Sequence, residues 1–202
     1  MLPNDRNDNQ QTGVRLVHSG SRQLFRYWES LRAERACPTR DEIDLSRISN
    51  ILPNITVIDE AEPRFWRHRM AGSDVCALLS EQVTYRDALL GFDRQSREAL
   101  TNLFGIAVQQ AQPAIIRLRL IGQHHVLPAE MLALPVFDQK SGQHQLFCGL
   151  FGFNTELAVG GAPLLRRELL SAKLIRTEHG FNPEIGTFRT APQFQVIKGG
   201  LS

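Results

Sequence analysis

The chain has 202 residues, 42% of them apolar and 22% charged, which suits one globular domain with extensions and leaves no room for a second full domain. A formal charge of +2 is far short of the positive stripe of a dedicated nucleic-acid binder. Three cysteines without CxxC spacing (Cys37, Cys76 and Cys148) argue against a disulfide framework and for a reducing, cytoplasmic compartment. No apolar run reaches the ~18 residues of a membrane span, and the N-terminus has no signal-peptide pattern.

Residues 1–18 are rich in Asn, Asp and Gln and read as a mobile tail, in which Val14, Leu16 and Val17 are the apolar exceptions. From Arg22, Leu24, Trp28 and Leu31 recur at helical spacing with Tyr27 beside them, while Arg22, Arg26, Glu29 and Arg32 face the other way. Such a stripe needs a cover, so Leu24, Tyr27, Trp28 and Leu31 are candidate interface residues. Thr39 and Glu42 have capping-box spacing, and Asp44 can cap a short helix that ends at Pro53. Ile55, Val57 and Ile58 then predict a first strand, and Trp66, His68 and Met70 alternate with Arg67 and Arg69 as a half-buried second.

Gly72 breaks that strand. A short helix carries Val75, Cys76, Leu78 and Leu79, and a further helical turn around Ala88–Leu90 ends at Gly91. Asp93 caps a longer helix to about Ala111 with Leu100, Leu103, Phe104 and Ala107 on one face. Period-two patterns then predict three antiparallel strands, around Ile116–Leu120, His125–Phe137 and Leu146–Phe153. After the break at Gly160–Pro163, Leu165, Leu169 and Ala172 at i, i+4 and i+7 predict a basic helix through Arg176, and Leu165 and Leu169 join the candidate interface. Residues from His179 onward read as an arm.

These periodicities define an α+β protein with an antiparallel sheet. A more specific resemblance rests on motifs. Tyr27-Trp28 through Leu31-Arg32, the run Pro38–Asp44, Ile51-Leu52-Pro53, Arg69–Ser73 and Glu130–Pro135 occur in the order seen in a bacterial family of small PAS-like proteins formerly catalogued as a domain of unknown function. Leu45 and Glu42 depart mildly from that family's pattern. The resemblance spans roughly residues 22 to 155 and implies a PAS-like five-stranded antiparallel sheet, with helices on one face and the N-terminal helix capping the other. The expected organisation is therefore a tail over 1–18, a PAS-like domain over 19–155, and a C-terminal helix and arm over 156–202.

No GxSxG, P-loop, HExxH, GxGxxG or zinc-spaced Cys/His cluster is present, and no residue is assigned a catalytic or metal-binding role. His124 and His125 are adjacent and point to opposite faces of a strand, so they do not readily share a metal. His68 is the informative histidine, because its face is apolar and a buried, unpaired ring nitrogen costs about 1–3 kcal/mol. With Trp66, Met70, Cys76, Leu100, Phe104, Leu118, Phe147 and Phe151 it forms the candidate ligand pocket. The expected function is a PAS-like sensory or signalling domain, without catalysis, acting through a small molecule, through protein contact, or both. A homodimer or a signalling enzyme such as a sensor kinase is the expected partner, and no cofactor is named. The alternatives are an adaptor with a filled core, an enzyme using His68 as acid or base, and, more weakly, a DNA binder using the basic C-terminal segment.

Overall fold

The computed structural model describes residues 15–153 and 164–176. The reading of residues 1–14, most of the linker before β6 and the C-terminal arm lies outside them. Six antiparallel strands form one sheet in the order β2-β1-β5-β4-β3-β6. They are β1 (Ile55–Glu62), β2 (Phe65–Ala71), β3 (Ala114–Gly122), β4 (Val126–Asp138), β5 (Gln143–Gly152) and β6 (Leu164–Leu174). Three α-helices, α1 (Ser19–Arg32), α2 (Ser73–Leu79) and α3 (Arg94–Gln109), and two 3-10 segments, Arg40–Glu42 and Leu45–Asn54, complete the described fold.

Because side chains alternate along a strand, each face of the sheet collects its own core. Ile116, Leu118, Leu120, Ala129, Leu146, Cys148 and Leu150 point toward α2 and α3 and join Val75, Leu79, Leu100 and Phe104. Ile115, Leu132, Leu134, Phe147 and Phe151 point the other way and meet Leu24, Tyr27 and Trp28 of α1. The predicted stripe of α1 thus finds its cover in the chain's own sheet. Trp28 donates its indole N–H to the Pro135 carbonyl at 2.8 Å, and the Tyr27 hydroxyl accepts from the Asp44 N–H at 2.7 Å while donating to the Asp44 carbonyl.

The local signals formed as their chemistry dictates. Thr39 and Glu42 make the capping box. Asp44 accepts from the Ser46 N–H, and Asp93 accepts from the Ser96 N–H at the start of α3. The short helical turn expected around Ala88–Leu90 is a hydrogen-bonded turn, held by Leu89 N–H to the Asp87 carboxylate at 2.8 Å. The start of the chain's described part is anchored. Leu16 is buried, and the Glu130 carboxylate, fully buried in β4, accepts from the N–H groups of both Val17 and His18.

The sheet has one strand more than expected, because the segment read as a C-terminal helix is β6. Its pairing with β3 shifts register twice, matching Gly122 to Leu164 but Ile121 to Arg166, and Leu118 to Leu169 but Arg117 to Ser171. Leu165 and Leu170 are therefore extra, bulged residues, and both are exposed. The residues turned toward the α3 side become Leu164, Arg167, Leu169, Ala172 and Leu174, with steps that alternate between three and two. The helical stripe of Leu165, Leu169 and Ala172 thus joined one exposed, bulged leucine to two residues that pack on the core, which is why periodicity alone misread the segment.

Candidate functional site

A cavity of about 20 Å³ lies between the sheet and the α3 side of the fold. Its wall is mostly aliphatic and aromatic, from Leu79, Leu89, Leu100, Phe104, Leu118 and Leu150. Three polar residues interrupt it: Thr56 of β1, His68 of β2 and Arg167 of β6.

His68 is 3% exposed. Its Nδ1 lies 2.8 Å from Thr56 Oγ1, and that hydroxyl donates its only proton to the Met70 carbonyl at 2.7 Å. Thr56 must then accept from His68, which places the imidazole proton on Nδ1 and leaves Nε2 as a bare acceptor. Nε2 has no hydrogen-bond partner among the described residues. Burial, reinforced by the positive charge of Arg167 and opposed by Asp87, lowers the His68 pKa to about 4, so the ring is neutral near pH 7.

Arg167 is 5% exposed and enters from the edge strand. It donates from NH1 to the Ala88 carbonyl at 3.1 Å and lies 3.7 Å from Glu81, whose side chain is 39% exposed. Its Nε–H is buried and unpartnered among the described residues. Burial pulls its pKa down to about 10, against the raising influence of Glu81 and Asp87. Asp87 offers little direct compensation, since its oxygens are taken by the Leu89 N–H and by Arg97 at 2.7 Å. The cavity therefore presents one cationic donor and one neutral acceptor against apolar walls.

The structure brings His68, Leu100, Phe104 and Leu118 together on the cavity wall. Trp66 and Cys76 belong to the same core, Trp66 edge-on to Phe104 at 5.4 Å, but do not line the cavity. Met70 is turned out and 38% exposed. A bulge explains it: Ile58 pairs with His68 and Val57 with Met70, so Arg69 is an extra residue and Met70 flips to the opposite face from His68. Phe147 and Phe151 also lie on the opposite face, in the α1 core, where Phe151 stacks on His18 at 4.8 Å.

Of the candidate interface residues, Leu24, Tyr27 and Trp28 are buried in that core and Leu31 is partly buried against it. Leu169 packs against the α3-side core, while Leu165 is 65% exposed. Arg167 was missed because, read on a helix, it belongs to a solvated basic face; only the bulged strand turns it inward. No cluster of three or more potential metal-ligating side chains occurs among the described residues.

An antiparallel sheet with helices on one face, an N-terminal helix on the other and an internal cavity defines an α+β domain of PAS-like layout. A family model described as a PAS domain matches residues 16–152, more than half of the 202, and the chain belongs to the PAS family. The match covers β1 to β5 and stops before β6, so Arg167 lies outside it. No curated protein matches the chain. No helix among the described residues is long and apolar enough to cross a membrane.

Proposed function

We propose that this PAS domain is a non-catalytic sensory module in which a small molecule enters the cavity between the sheet and α3 and alters the packing of β6. The observation that carries this reading is a pair of buried groups without partners among the described residues, His68 Nε2 and Arg167 Nε–H, on two residues that line the same cavity. Each would cost about 1–3 kcal/mol if left permanently unmet, so a ligand able to satisfy both has a ready source of binding energy. A ligand shifts the state of β6 only by binding its two arrangements unequally, and Arg167 supplies that difference because it belongs to both the cavity and the edge strand. The signal leaves by protein contact, with a second copy or a signalling enzyme such as a sensor kinase as the partner.

Native and denaturing mass spectrometry of the purified protein, with an absorption spectrum of the same sample, tests this. Release of a small molecule on denaturation, and changed amide exchange in β6 when it is restored, are the expected results. The small size of the cavity favours a second reading, an adaptor whose core is filled by its own side chains. A bare polypeptide that still binds a signalling partner unchanged by any candidate ligand would establish that reading instead.

A further inference from the structure

We propose that the His68–Arg167 cavity is a site for a small monocarboxylate with a short apolar tail, bound together with one proton. This rests on the ligand-binding reading above and adds the chemical class. Two groups must be satisfied at once: a cationic donor, Arg167 Nε–H, and a neutral acceptor, His68 Nε2. The direction of the second is set by geometry, because Thr56 spends its proton on the Met70 carbonyl and so must receive the Nδ1 proton of His68. A carboxyl group answers both, with one oxygen accepting from Arg167 and the other sharing a proton with His68 Nε2. Near pH 7 neither a free carboxylate nor neutral His68 carries that proton, so it is taken from solution whichever partner holds it afterwards.

Charge points the same way, and size limits the ligand. Arg167 is buried with Glu81 only at 3.7 Å and Asp87 committed to Arg97, so a ligand anion meets an incompletely compensated cation. Arg167 and Asp87 are the charged groups that act on His68, while Glu81 acts on Arg167, and a ligand anion adds to Asp87 in favouring protonation of His68. The cavity's 20 Å³ exceeds the roughly 10–15 Å³ that one water needs, which restricts the ligand to the smallest carboxylates and requires the packing of β6 to give way as one enters, as the sensory reading supposes. The aliphatic wall of Leu79, Leu100, Leu118 and Leu150 accepts the tail. Arg167 comes from β6, beyond the stretch matched by the PAS family, so the site combines the family's core with an appended strand.

The test is titration calorimetry of the full chain at pH 7 with sodium propionate, propionamide and propan-1-ol, each in two buffers of different ionisation enthalpy. The expected result is saturable propionate binding with uptake of close to one proton, at least tenfold tighter than either neutral probe. Arg167→Gln is expected to weaken propionate at least tenfold, and His68→Gln to bind it without the proton uptake. The wild-type proton count keeps the proposal falsifiable even where a variant fails to fold. Propionamide binding as tightly as propionate, or propionate binding without proton uptake, overturns the carboxylate assignment and leaves the sensory reading standing. No binding by any probe, in a protein that nonetheless releases another small molecule on denaturation, does the same. No binding together with a bare polypeptide removes both.

Discussion

At the scale of single residues, the neutral His68 makes the fold acid-sensitive. Its pKa of about 4 in the folded chain lies below the ordinary 6.5, so between those values the unfolded chain binds the extra proton. Stability contributed by this group is present above pH 6.5 and is lost as pH falls toward 4, amounting to about 2 kcal/mol between pH 7 and pH 5. Urea unfolding across that range should show the loss in the wild type and a much flatter profile in His68→Gln. His18 and His144, whose pKa values burial also lowers, act in the same direction in both proteins. Glu42, held down to about 2 chiefly by Arg35, begins to respond only below about pH 4.5. Glu130 shows the same dependence on buried pairing: Glu130→Ala strands the Val17 and His18 N–H groups and should cost about 1–3 kcal/mol in denaturant midpoint analysis. At Gly72 the constraint is steric. A methyl group there meets the backbone carbonyl oxygens of Pro53 and Leu52, which cannot swing aside, so Gly72→Ala should destabilise by about 1–3 kcal/mol in the same assay.

Among the elements, α3 and β6 differ in how much of their form is local. Asp93 caps α3 by accepting from both the N–H and the hydroxyl of Ser96, and Asp93→Ala should lower stability by about 1 kcal/mol in thermal or denaturant unfolding. That helix was legible because the cap, the apolar stripe of Leu100, Leu103, Phe104 and Ala107, and Pro113 all agree on one period. The second strand was legible only as far as His68, since the Arg69 bulge that turns Met70 away belongs to the pairing with β1 and not to β2 itself. For β6 the two bulges displaced the period altogether. Their exposed leucines, Leu165 and Leu170, also interrupt the outer edge of the sheet, a device that discourages indiscriminate strand addition.

At the scale of the whole molecule, the two cores on opposite faces divide structure from proposed sensing. The α1 side is closed by large side chains and by hydrogen bonds such as Trp28 to Pro135, whereas the α3 side retains a cavity with polar groups unmet. Arg167 is placed there at a cost to burial. Its main internal partner is the Ala88 carbonyl, and Glu81 is solvated, so Arg167→Met exchanges one hydrogen bond for cheaper apolar packing. We expect denaturant unfolding of that variant to differ from wild type by no more than about 1 kcal/mol, while ligand retention in native mass spectrometry is lost. A loss of several kcal/mol would identify Arg167 as a structural strut.

The α+β class, the capped helices, the order of the first five strands and the inward direction of His68 were all determined by the sequence itself. Each depends on neighbours a few residues apart: side-chain alternation, helical stripes, Asp and Thr caps, and Pro and Gly stops. Tertiary structure alone decided which face each pocket candidate shares. It sent Phe147 and Phe151 to α1, rotated Met70 outward, converted a supposed helix into β6, and brought Arg167 to the cavity that His68 lines. The reason is that strand register and bulges are properties of pairs of strands. A one-residue shift between β3 and β6, or between β1 and β2, reverses every side chain beyond it and leaves no mark in the local composition of either strand.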